Sequence, residues 1–286
     1  KLLLRVNCGS QMHLEHQIEY EAHALRLMEG SGRTPKVLYV DGSKKILEHG
    51  ILVMEYLPGH AMDYHTELML AAPCLADIHS VPIPESEEIL IHPQNPLKAI
   101  LEECEEMFKV YLESPLGDGE KKTYIRELLD LGWKREAEIQ LESGYQCCIN
   151  TELNSTNLLI NGEGKSNYLI DWEKPLFGNP AQDLGHFLAP TTTFWKTDVI
   201  LTSEEIEKFI DAYIKAVGNR FKTDMIREHT HAFIPITCLR GITWCAMAWV
   251  QYQQPDKLIF NESTFKKLNA YLDMDFLKNI RGYLEP

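Results

Sequence analysis

The sequence predicts an α+β fold in which a small sheet-rich lobe is joined by a tether to a larger, mostly helical lobe. Two patterns carry this expectation. Up to residue 57, short leucine- and valine-rich runs alternate with one amphipathic helix, and most of the remaining chain has helical periodicity. The exception is residues 146–185, where short apolar runs carry loops rich in Asn, Asp and Glu.

Leu2-Leu3-Leu4-Arg5-Val6 reads as a strand. Residues 12–29 read as a helix, because Leu14, Ile18, Ala22, Leu25 and Met28 recur at three and four residues; Gly30-Ser31-Gly32 and Pro35 end it. Val37–Val40 and Ile51–Tyr56 read as strands closed by Asp41-Gly42 and Pro58-Gly59. A helix follows around 66–79. Residues 84–145 read as an insertion, with a loop containing Pro and His and helices at 97–113 and 121–140. Residues 146–149, 157–160 and 168–170 read as short strands, with Asn161-Gly162-Glu163-Gly164 as the turn between the last two. From about 203 the chain is helical again: Ile206, Phe209, Ile210, Tyr213 and Ile214 form one stripe, and residues 231–253 supply another with Trp244, Met247 and Trp249. These aromatics are expected in the core.

The formal net charge is −14, from 28 basic and 42 acidic residues in 286. A nucleic-acid partner is not expected, because no excess of positive charge is available to displace counterions. Acidity maintains solubility, and in a cleft it would attract a cationic ligand. The seven cysteines are scattered without a C-x-x-C pair, as expected of buried thiols in a reducing, cytoplasmic setting. No signal peptide is apparent, no apolar run approaches the ~20 residues of a membrane span, and no membrane partner is expected. The chain opens at Lys1 within a strand-like run, so the sheet-rich lobe is expected to be incomplete.

The densest polar signal runs Asn150-Thr151-Glu152-Leu153-Asn154-Ser155-Thr156-Asn157, then Asp171-Trp172-Glu173, Gly178-Asn179-Pro180 and Asp183. Polar loops on short apolar strands hold carboxylates on a rigid scaffold while leaving them accessible. Transfer of a phosphoryl group from a nucleotide uses such equipment. One carboxylate orients or deprotonates the hydroxyl, and an amide oxygen and a second carboxylate hold Mg²⁺, a hard ion that prefers oxygen. Glu152, Asn157 and Asp171 can fill those roles in that order.

Residues 146–185 resemble the catalytic segment of the aminoglycoside phosphotransferase and choline kinase superfamily. That pattern is a hydrophobic strand, His-Gly-Asp, four residues, Asn, a hairpin, Ile-Asp-Trp or Ile-Asp-Phe, then Gly-Asp-Pro with a downstream Asp. Here Asn150-Thr151-Glu152 stands at the His-Gly-Asp place, followed by Asn157, Ile170-Asp171-Trp172, Gly178-Asn179-Pro180 and Asp183. Leu4-Arg5-Val6-Asn7 is similar to the family's third strand, Glu21-Ala22-x-x-Leu25-x-x-Met28 to its first large helix, Leu52–Gly59 to its hinge, and Leu75–Ser80 to the helix beyond.

The resemblance implies a two-lobed protein-kinase-like fold, with a nucleotide lobe over 1–57 and a helical lobe over 58–286. It implies ATP or GTP and Mg²⁺ as cofactors. Glu152 would be the catalytic carboxylate, and Asn157 and Asp171 the metal ligands. Arg5 would contact the nucleotide phosphates and pair with Glu21. Met54, Glu55, Tyr56 and Leu57 would present backbone groups to the adenine ring, with Leu52 or Met54 packed nearby. Asn150 would support the loop, and Asp183 would be a buried acceptor tying the metal loop to the following helix. His79 is expected to make a core or capping hydrogen bond, and His186 to be structural.

The acceptor would be a small hydroxylated molecule read by 84–145 and 200–286. Aminoglycosides, choline-like amines, sugars and amino alcohols all stay open, and the net acidity favours a cationic one. Three departures matter. Asn150 removes an imidazole that could brace the loop, Thr151 adds a β-branched side chain, and Glu152 extends its carboxylate by ~1 Å, a displacement large enough to affect catalysis. Both an enzyme with a retuned loop and a nucleotide-binding protein with little transfer activity fit them.

Overall fold

The computed structural model describes residues 1–286 except 11, 46, 140, 142–143, 255–259 and 286. Strands β1 (Leu2–Asn7), β2 (Val37–Asp41) and β3 (Gly50–Glu55) pair antiparallel in the order β1-β3-β2. The alternation of β3 buries Leu52 and Met54, and helix α1 (Gln17–Met28) contributes Ile18, Ala22 and Leu25 to the same core. Cross-strand partners share a sheet face. Arg5 lies opposite Leu52, so it projects toward the α1 side of the sheet, where Glu21 sits.

Helix α1 begins later than its periodicity predicts. His13 has φ 56°, and the Ser10 hydroxyl accepts the Leu14 N–H, so the preceding segment is a local turn. Met12 and Leu14 still pack on the core, which is why the apolar spacing continued through it. A 3₁₀ turn over Glu29–Ser31 and Gly32 at φ 66° close the helix.

A second sheet has the order β4 (His60–Ala61), β6 (Leu158–Ile160), β7 (Tyr168–Leu169); β5 (Cys147–Ile149) pairs with β8 (Leu176–Gly178). The sequence anticipates β5, β6 and β7. It does not anticipate β4 or β8, which are too short for a period to register. In the β6–β7 hairpin Leu158 faces Leu169, and the Ile170 N–H donates to the Asn157 carbonyl at 2.9 Å. That register brings Asn157 beside the Asp171 loop.

The remaining elements are helices α2 (Leu68–His79), α3 (Pro96–Glu113), α4 (Gly119–Glu138), α5 (Pro180–Leu188), α6 (Pro190–Thr197), α7 (Ser203–Val217), α8 (Ile226–Tyr252), α9 (Glu262–Tyr271) and α10 (Met274–Leu284). Asn95 and Asp118 cap α3 and α4, and Thr202 with Glu205 forms a capping box on α7. Helices α3 and α4 pack on α8, so the segment expected as an insertion shares a core with the C-terminal helices. By length and composition α8 could cross a membrane, a span that inspection of the sequence did not register. However, 72% of its most apolar window is buried inside the protein, and it packs on α3 and α5.

The α5–α8 contact is close because Gly185 has no side chain: a Cβ there would stand 2.4 Å from the Phe233 Cβ. Gly185→Ala is expected to destabilise the protein by about 1–3 kcal/mol through overpacking. A urea denaturation midpoint unchanged from wild type would refute this packing role.

Candidate active site

The site is organised by Asp183, in the first turn of α5 and wholly buried. Its Oδ2 accepts the Asn150 N–H at 2.8 Å and its Oδ1 accepts the Thr151 N–H at 2.7 Å. His79 Nε2 lies 3.1 Å from Oδ2, and His79 Nδ1 lies 2.8 Å from the Tyr213 hydroxyl. With Nε2–H donating to the carboxylate, Nδ1 accepts the tyrosine proton, so each member of the chain is satisfied. His79 therefore makes the core hydrogen bond expected of it. Asp183 is the buried acceptor expected, but the loop it holds is different. It clamps the head of the Asn150–Glu152 loop, and it reaches the 171–174 loop through Asn150 and Thr151. The cause is topological: β8 pairs antiparallel with β5, so its last residue Gly178 lies opposite Cys147 at the start of β5; α5 then packs on β5, and its first turn carries Asp183 to the strand's exit at Asn150.

The three departing residues all bond toward 171–174. Asn150 Nδ2 donates to the Asp171 carbonyl at 2.8 Å, while its Oδ1 accepts the Glu152 N–H at 3.1 Å. Thr151 adopts φ 66°, a conformation that suits glycine, and its hydroxyl donates to the Lys174 carbonyl at 2.7 Å. The Glu152 carboxylate meets Lys174 Nζ at 2.8 Å and lies 3.8 Å from Arg240 Nη2. Asn157 Nδ2 and Asn154 Nδ2 both donate to the Glu152 carbonyl, at 3.1 and 3.0 Å. Because its nitrogen is committed there, the Asn157 amide oxygen is left as an accessory acceptor or ligand.

Asp171 also has a left-handed backbone, φ 64°, next to the buried Trp172, whose indole N–H donates to the Leu169 carbonyl. Arg5 joins this loop to the first sheet. Its Nη1 donates to Asp171 at 2.9 Å, its Nη2 to Glu173 at 2.8 Å, and its Nε lies 3.0 Å from Glu21 Oε2. The pairing of Arg5 with Glu21 was expected. The engagement of Glu173 was not, although it lies in the same Asp171-Trp172-Glu173 run. Glu21 Oε2 has ionic compensation but no aligned hydrogen bond, and burial outweighs Arg5 to push its carboxyl up to about 7. Burial and the neighbouring Asp171 carboxylate raise the Glu173 carboxyl.

In the hinge, Met54 pairs with Leu3 and Val37 within the sheet, and the Glu55 N–H donates to the Lys36 carbonyl. Leu57 is buried and Tyr56 is half exposed. None of these four residues forms a wall of the Glu152 cavities described next.

Glu152 opens into a cavity of about 260 Å³ walled by Lys174, His186, Thr192, Trp195, Arg240 and Trp244. An adjoining cavity of about 710 Å³ shares Lys174, His186, Arg240 and Trp244 and extends to Glu103 and Met107 on α3. Both segments expected to read an acceptor, 84–145 and 200–286, thus contribute walls. His186 departs from the structural role expected of it. Among the described residues it has no hydrogen-bond partner, and it lines both cavities. Burial, then Arg240 and Lys174, push its imidazole down to about 3, so it is neutral at physiological pH. Lys174 and Arg240 carried no readable signal in the sequence, since neither lies in a motif.

Residues 1–228 match the family model described as a phosphotransferase enzyme family. No curated protein matches the sequence. Among solved structures, a spectinomycin phosphotransferase in complex with ADP and spectinomycin superposes with TM-score 0.64 at 16% identity, covering 99% of this chain and 85% of its own. A choline/ethanolamine kinase family protein from Mesorhizobium loti gives 0.61 at 15%, covering 99% and 86%. An ethanolamine kinase from Plasmodium vivax gives 0.66 at 16%, covering 99% and 77%. At these identities the likeness concerns the fold.

Glu21 makes stability depend on pH. Its folded pKa of about 7 lies above the ordinary 4.5, so its contribution is complete below 4.5 and is lost as pH rises through 7. The stability difference between wild type and Glu21→Gln is therefore expected to shift against wild type by on the order of 3 kcal/mol across that window. Denaturation of both proteins at pH 4.5 and 7.5 measures it; a constant difference would show that Arg5 keeps Glu21 ionised throughout.

Proposed function

The chain belongs to the phosphotransferase enzyme family, and from that premise we propose that it transfers the γ-phosphoryl group of ATP or GTP to a hydroxyl of a small polar acceptor. The observation that carries this reading is the position of Glu152. Its carboxylate opens into a cavity while its carbonyl is held by Asn157, across the β6–β7 hairpin from Asp171.

Glu152 is placed to orient the acceptor hydroxyl and take its proton as the new O–Pγ bond forms. The bond from Pγ to the β-phosphate oxygen breaks, its electron pair leaves with the nucleoside diphosphate, and the proton passes from Glu152 to solvent. Asn150, Asn154 and Asn157 fix the Glu152 backbone on both sides, and Lys174 restrains its side chain. This keeps the longer carboxylate in one place.

The residues fit a Mg²⁺ ion. The free amide oxygen of Asn157 and the Asp171 carboxylate, with Glu173 adjacent, are hard oxygen donors. An ion bound partly by nucleotide phosphates needs only one or two protein carboxylates. Bound there, Mg²⁺ would neutralise phosphate charge. Arg5, now shared by Asp171, Glu173 and Glu21, would turn part of its guanidinium to the phosphates. Backbone groups of Met54 to Leu57 would meet the adenine ring, within the limit that the Glu55 N–H is already donated to Lys36.

A second reading, nucleotide binding with little transfer, is favoured by the ion pairs that already occupy Glu152 and Asp171. Turnover separates the two. Glu152→Gln is expected to lower kcat by ~100-fold or more while leaving Mg²⁺–nucleotide affinity within a few-fold. Asp171→Ala is expected to remove the Mg²⁺ dependence of nucleotide binding in calorimetry. Equal turnover in wild type and Glu152→Gln would support the second reading, and metal-independent binding by wild type would overturn the ligand assignment.

A further inference from the structure

The cavity beside Glu152 has a local charge that the overall composition hides. The chain is strongly acidic, with net charge −14. Yet in the cavity that Glu152 enters, Glu152 itself is the one carboxylate among the described wall residues, against Lys174 and Arg240. Both cations converge on the same carboxylate oxygen, at 2.8 Å for Lys174 Nζ and 3.8 Å for Arg240 Nη2. Their remaining donors are not used up. Arg240 gives Nε and Nη2 to Glu103, at 2.8 and 3.3 Å, and its Nη1 has no partner among the described residues. Lys174 Nζ has three donors and, among the described residues, meets Glu152 alone. The Arg240 and Lys174 side chains are only 18% and 13% exposed, so both lie mostly within the protein, while Arg240 Nη1 is not one of its fully buried unpaired atoms.

Resting on the phosphotransfer reading, we propose that the acceptor is a hydroxy acid, whose carboxylate is held between Arg240 Nη1 and Lys174 Nζ while its hydroxyl is presented to Glu152. One free guanidinium nitrogen and one ammonium match the two oxygens of a carboxylate. A dianionic phosphate would call for more donors than these. Neutral His186, on the same wall, offers one N–H and one acceptor nitrogen to further hydroxyls. Its low pKa, caused in part by Arg240 and Lys174, is consistent with their field reaching across the cavity. Trp195 and Trp244, set edge to face at 5.4 Å, close the apolar side.

An ammonium group has a weaker case. The Trp faces would attract it, but both cations would repel it, and the carboxylate it would pair with is the one the hydroxyl needs. The adjoining cavity adds Glu103, Glu106 and His13, but Glu103 is already bidentate with Arg240. The acceptor inferred here is thus of opposite charge to the one that net acidity favours.

Two matched series test the proposal: glycerate, glycerol and 3-amino-1,2-propanediol; and gluconate, sorbitol and glucamine. Binding to the full chain loaded with Mg²⁺ and ADP is followed by calorimetry, and phosphoryl transfer is followed with ATP. In at least one series the carboxylate is expected to bind tightest. Arg240→Gln is expected to weaken it by ~10–100-fold, the loss of one charge-assisted bond, while changing the neutral member little. Arg240→Lys, which keeps the charge, is expected to restore part of the carboxylate affinity, whereas a merely structural role of the Arg240–Glu103 pair would shift the affinity of all three members together.

The inference is overturned if an alcohol or amine binds as tightly as the carboxylate in both series, if no carboxylate binds, or if Arg240→Gln weakens all three members equally. Tight, Arg240-dependent carboxylate binding without transfer would instead leave the anion site standing and sink the phosphotransfer reading. Transfer to an amine alone would do the reverse.

Discussion

The buried carboxylate of Asp183 is the constraint on which the polar centre depends. It sits in the first turn of α5 with no solvent contact, and its charge is answered by two backbone N–H groups and His79. Removing one partner of such a buried charged cluster typically costs ~3–5 kcal/mol, so the loop head it holds has little freedom. That rigidity is what allows Thr151 to occupy a left-handed conformation, at a cost of about 1–3 kcal/mol for strained backbone. It also fixes the point from which the Glu152 side chain departs.

From that anchor the loop at 150–152 and the loop at 171–174 behave as one unit. Asn150 spans to the Asp171 carbonyl, the Thr151 hydroxyl spans to the Lys174 carbonyl, and the Lys174 ammonium returns to the Glu152 carboxylate. Each residue that departs from the His-Gly-Asp pattern therefore has a partner in the opposite loop. The added methylene of Glu152 ends at an ammonium group, so the longer side chain is restrained. Read singly, the substitutions look damaging; read together, they form a closed set of contacts. Arg5 completes the arrangement from the first sheet by spreading its charge over Glu21, Asp171 and Glu173, carboxylates that would otherwise repel one another.

Charge illustrates why composition alone misleads about a site. The net charge of −14 is a sum over the whole chain, and its exposed part is screened by water and salt. A recess excludes most of that screening, and the groups on its wall determine what it accepts. Here those groups are Lys174 and Arg240, brought from a loop and from the middle of α8. His186, which belongs to α5, lines the same cavity, has no hydrogen-bond partner among the described residues and stays neutral.

Much of this molecule is legible from residue order, because its signals are local. Periodicity locates α1, α2, α3, α4, α7 and α8 to within a few residues. The strand–turn–strand reading of 157–170 puts Asn157 and Asp171 at the same end of one hairpin, while the Arg5–Glu21 pair is expected from the family resemblance rather than from any local pattern. Strands β4 and β8 escape notice because two or three residues show no period, and the turn at 12–14 is hidden by side chains that pack as a helix would. The tertiary structure alone decided which loop Asp183 holds, that Glu173 shares Arg5, that His186 faces a cavity, and that Lys174 and Arg240 converge on Glu152. The reason is distance along the chain. Asp183 is 33 residues from Asn150, and Arg5 is 166 from Asp171, so no local pattern encodes those meetings. They follow from β5 pairing with β8 and from α8 packing across α5, long-range choices made by burial of apolar surface rather than by the polar residues they bring together.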